Sequence, residues 1–60
     1  MSKATYIFEN DNKASEATET IGREMGQGGY QGFTNRVEIY DVSDFRRACS
    51  ICEACGGTQE

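Results

Sequence analysis

The sequence predicts a small α+β domain: a two-layer β-α-β(β)-α arrangement, with a short antiparallel or mixed sheet packed by two helices. Three observations predict it. The run Thr5-Tyr6-Ile7-Phe8-Glu9 has the aromatic and β-branched composition of a strand. Ala14, Ala17, Ile21 and Met25 then recur at helical spacing. Val37 and Ile39 alternate with Arg36, Glu38 and Tyr40, the period of a half-buried strand.

The elements follow in order. Turn chemistry at Glu9-Asn10-Asp11-Asn12 precedes the first helix, and Asp11 or Asn12 can cap it. Its stripe is narrow and built of small residues, so it should lie close on the sheet. Glu16, Glu19, Arg23 and Glu24 then face solvent. Gly22 weakens this helix, and Gly26 supplies a stop. Gly26-Gln27-Gly28-Gly29 reads as a flexible connection. Thr34-Asn35 suits a hairpin turn between Tyr30–Phe33 and Arg36–Asp41, with one continuous bent strand as the alternative. Asp41 or Ser43 caps a second helix that runs through Phe45 to about Cys55, and Gly56-Gly57 ends it. Thr58-Gln59-Glu60 reads as a frayed tail.

Size bounds the rest. The 60 residues make a single domain, 1–60. A domain this small buries only about 60% of its unfolded surface. There is no leucine, and Ile7, Ile21, Ile39, Ile51, Val37 and Val42 are the only large aliphatics. Such a core favours either a homodimer or a partner that covers apolar surface.

Ten carboxylates oppose six Lys and Arg, for a net charge of −4. No stretch is basic enough to follow a phosphate backbone, which argues against direct nucleic-acid binding. An acidic surface steers instead toward basic proteins. The start Met1-Ser2-Lys3-Ala4 shows no apolar leader, and no segment suits a membrane span. The chain therefore reads as cytoplasmic, in agreement with its odd cysteine count.

Cys49, Cys52 and Cys55 form the one dense group of potentially reactive side chains. Placed on the second helix, they share a side with Phe45 and Val42, which makes them core candidates. A zinc or iron–sulfur module on the same three thiols is the alternative. Zinc would need a fourth ligand, from a carboxylate or a second chain. Cys-Ser-Ile-Cys-Glu-Ala-Cys-Gly resembles the opening of the bacterial ferredoxin run C-x₂-C-x₂-C-x₃-C-P. Its fourth ligand position holds Gln59, and no proline follows. A catalytic dithiol is disfavoured, because the helix C-terminal end opposes a thiolate.

No histidine and no recognisable nucleophile arrangement are present, so no enzyme activity is expected. Gly26 to Phe33 lacks the Lys-Ser/Thr of a phosphate loop and leads into a strand rather than a helix. The expected function is protein–protein binding, with no cofactor. In size and charge the chain resembles compact acidic inhibitors carried by phages and mobile elements, such as anti-CRISPR proteins. That resemblance implies blockade of a host nucleic-acid-handling complex at a basic surface. The candidate partner-binding residues are the carboxylates Glu16, Glu19, Glu38 and Asp41, with Tyr30 and Phe33 as exposed aromatic anchors.

Overall fold

The computed structural model describes residues 3–26 and 30–60, and of Phe33 the backbone alone. The readings placed on Met1-Ser2, on the connection 27–29 and on the Phe33 side chain lie outside the described residues. The elements are β1 (Lys3–Ile7), α1 (Asp11–Met25), β2 (Tyr30–Phe33), β3 (Arg36–Tyr40), α2 (Phe45–Ala54) and β4 (Thr58–Gln59). The strands form one sheet in the order β2-β3-β1-β4, and every neighbouring pair is antiparallel. Each helix thus connects two parallel strands that have a third strand between them. This is the split β-α-β arrangement, made twice, whose topology is called ferredoxin-like. The name describes connectivity and says nothing about a cluster.

Both helices cover one face of the sheet. Ala4, Tyr6, Phe8, Val37 and Ile39 project from that face. Ala14, Ala17 and Ile21 of α1 and Ala48, Ile51 and Cys52 of α2 complete the buried core. The small residues of α1 let it approach the sheet as the sequence implied, and Met25 packs at the margin. Gly22, which costs helix propensity, has a packing role. A β-carbon there would stand 2.6 Å from the Tyr30 hydroxyl. The opposite face of the sheet is open to solvent, as antiparallel sheets allow. Lys3 and Glu38 pair across it at 3.7 Å, and Arg36 and Glu60 at 2.7 Å.

The hairpin reading holds and the bent strand does not: Phe33 pairs with Arg36 across Thr34-Asn35. Asn35 fastens this turn to the end of β1. Its amide donates to the Phe8 carbonyl at 3.0 Å, and its own carbonyl accepts from the Phe8 N–H at 2.7 Å.

Three boundaries differ from the sequence reading. Asn10, rather than Asp11 or Asn12, caps α1, its side chain accepting from the Lys13 N–H at 3.0 Å. Asp44, rather than Asp41 or Ser43, caps α2 through the Arg47 N–H. The tail is no frayed end but the edge strand β4. Its cause is the closing geometry of α2. The Gly57 N–H bonds to the Cys52 carbonyl at 2.8 Å, and the Gly56 N–H to the Glu53 carbonyl at 3.0 Å. Gly56 takes φ +93°. This pair of bonds is a Schellman motif, which turns the chain back along the helix it leaves. Gly57 then passes against the Phe8 ring, and Thr58 and Gln59 pair with Ile7 and Tyr6. The Glu60 N–H donates to the Thr5 carbonyl at 2.8 Å.

Candidate functional site

Burial of Ala14, Ala17 and Ile21 fixes the rotation of α1 and leaves Glu16 and Glu19 on its exposed side. Two open clefts flank that side. One, about 260 Å³, runs toward the end of α2 and is lined by Glu16, Glu19, Thr20, Arg23 and Cys55. The other, about 390 Å³, lies between α1 and β2. Asp11, Ser15, Thr18 and Glu19 line it from the helix, and Gly32 and Thr34 from the hairpin. Glu19 therefore borders both clefts. Its nearest cation is Arg23, at 3.8 Å and one helical turn away. Both side chains are well exposed, so this pair only weakly offsets the carboxylate. The second cleft exists partly because Gly32 carries no side chain. A β-carbon there would meet the Thr18 hydroxyl oxygen at 3.0 Å.

The other sequence-predicted residues fall elsewhere. Glu38 projects from the open sheet face and is paired with Lys3, so it does not share a surface with Glu16 and Glu19. Asp41 follows β3 with φ +51° and is exposed. Aspartate tolerates that left-handed geometry better than most residues. Tyr30 is not an exposed anchor. It is registered opposite Ile39 and half-buried against the core, with its hydroxyl over Gly22. The five whose side chains are described thus occupy no single face. Asp11, Ser15, Thr18 and Gly32 line the cleft and were not anticipated, because they come together only when α1 lies across the hairpin.

The helix layer is cross-linked by charge. Arg47 of α2 grips Glu24 of α1 with two bonds, Nε to Oε1 at 3.0 Å and Nη2 to Oε2 at 3.1 Å. The fork holds the Glu24 carboxyl below its ordinary range.

The three cysteines take three different environments. Cys52 is fully buried in the core. Burial first, then the neighbouring Cys49 and Cys55, pushes its thiol up to about 12. Cys49 and Cys55 are half-buried. The buried stripe of α2 is Ala48, Ile51 and Cys52, with Phe45, Val42, Cys49 and Cys55 packed around it, so Cys52 is core as expected while Cys49 and Cys55 border the core. Tyr6 reaches from β1 to α2 and donates to Glu53 Oε2 at 3.0 Å. Burial, with Cys49 and Glu53 beside it, holds the Tyr6 hydroxyl above its ordinary range. Among the described residues, no group of three or more Cys, His, Asp and Glu side chains is placed to hold a metal ion. Among the same residues, no helix is long and apolar enough to cross a membrane.

No protein-family model, curated protein or solved structure matches this chain.

Proposed function

We propose that this is a non-enzymatic binding protein that docks on the basic surface of another protein through the exposed side of α1. One observation carries the reading: Glu19 borders two open clefts, with Glu16 beside it in one and Asp11 in the other. Carboxylates on the rim of concave surfaces suit the insertion of Lys and Arg side chains, and complementary charge speeds and orients such docking. The absence of histidine and of any recognisable nucleophile arrangement supports a role without chemistry. Size and acidity favour one class of action, blockade of the basic channel of a host nucleic-acid-handling complex, in the manner of a phage-borne inhibitor of the anti-CRISPR type.

The test is binding to purified RNA-guided nuclease complexes in competition with DNA. Glu16→Lys with Glu19→Lys should weaken binding and flatten its dependence on salt. Unchanged affinity in that double variant rejects the α1 face. Failure of any such complex to bind rejects the class of partner.

A further inference from the structure

The edge of the sheet beside the larger cleft has its own binding capacity. β2 is an outer strand, and among the described residues no strand pairs with its outer side. The hairpin register fixes which backbone groups are free. Phe33 and Arg36 flank the two-residue turn. In such a hairpin the flanking pair and every second pair beyond it exchange ladder bonds. Gln31–Glu38 is therefore a bonded pair, and the N–H and C=O groups of Tyr30 and Gly32 turn outward. Gly32 also lines the larger cleft, so the outward backbone and the Asp11 and Glu19 carboxylates bound one space. Among the described residues, no Lys or Arg lines that cleft.

The geometry points to strand addition: an extended, basic segment of the partner pairs with the outer edge of β2 and places a Lys or Arg side chain in the cleft between Asp11 and Glu19. Backbone bonds at Tyr30 and Gly32 supply register, and the carboxylates select a cation. Alternate side chains of an added strand point to the same side, so the basic residues of the segment recur at every second position. The inference rests on the reading of α1 as the binding face and names the form of the partner there.

The experiment is an amide NMR titration of the whole chain with a short peptide of alternating lysine and threonine at low ionic strength. Saturable shifts at Gly32, Ser15 and Thr18, with slowed hydrogen exchange at the Tyr30 and Gly32 amides, are expected. Asp11→Asn with Glu19→Gln should weaken the peptide by about three- to tenfold. Glu60→Gln, beside β4 at the opposite edge of the sheet, should leave it unchanged. Absence of saturable shifts overturns the proposal, as do shifts without slowed exchange at Gly32. The Glu16→Lys with Glu19→Lys variant, weakened against the nuclease complex, would leave the acidic-face reading intact in either case.

Discussion

Tyr30 and Gly22 fit each other across the α1–β2 contact: the tyrosine hydroxyl occupies the space that a side chain on Gly22 would need. A glycine in the middle of a helix normally weakens it by about 1 kcal/mol relative to alanine. Here that cost has a structural cause. Gly22→Ala should destabilise the protein, because the new methyl meets the hydroxyl at 2.6 Å. With Tyr30→Phe as background, the same change should become neutral or stabilising by about 0.5–1 kcal/mol. Urea midpoints of the four variants in the cycle check this. Equal effects of Gly22→Ala in both backgrounds would disprove the contact.

Gly57 carries the second prediction. A β-carbon there would lie 2.7 Å from the Phe8 ring and 2.9 Å from the Cys52 carbonyl. Neither neighbour can yield easily, since one is a core ring and the other is backbone. Gly57→Ala should cost about 1–3 kcal/mol in chemical denaturation. Removal of residues 58–60 should also destabilise. It deletes the β4 pairing, the Glu60–Thr5 backbone bond and the Arg36–Glu60 ion pair. It also bares the outer side of β1, so the shortened chain should self-associate more readily in sedimentation.

Thiol chemistry separates the three cysteines. At mildly alkaline pH a disulfide reagent should modify Cys49 and Cys55 in the native protein well before Cys52. Cys52 should react only at the rate of unfolding, because it is buried and its thiol stays protonated. Peptide mapping after timed labelling reads this order directly. Equal labelling of all three would place Cys52 outside the core.

The same group makes the fold sensitive to alkali. The Cys52 thiol rises from an ordinary 9.0 to about 12 in the folded protein. Between those values the unfolded chain has released this proton and the folded chain has not. Stability therefore falls as pH rises through that window, and the contribution is complete below it. Tyr6, raised from 10.0, acts in the same direction. Urea midpoints from about pH 7 to about pH 11 should decline, and Cys52→Ala should flatten the decline while lowering the starting value.

Much of the fold was legible because the chain obeys simple periods. The spacing of Ala14, Ala17 and Ile21 and the alternation at Val37 and Ile39 each set which side is buried. That alternation also required Glu38 to project away from the helices, so its separation from Glu16 and Glu19 follows from parity alone. The burial of Tyr30 did not follow, because it depends on the register opposite Ile39. β4 was hidden for a different reason. Its two residues are both exposed and too few to show an alternation, and its formation depends on the glycine pair and on Phe8, nearly fifty residues earlier in sequence. The cleft between α1 and β2 was hidden in the same way, since its lining joins only in three dimensions.

β4 also sets the order in which the molecule can be completed. β1 precedes both of its neighbours in sequence, yet it lies inside the sheet, between β3 and β4. Its partner on one side is fixed only when residues 36–40 exist, and on the other only when residues 58–59 exist. The aromatic β1 must therefore wait with open hydrogen-bonding edges until both partner strands have been made. The sheet can close only after β4 arrives, so its strands assemble together and not segment by segment.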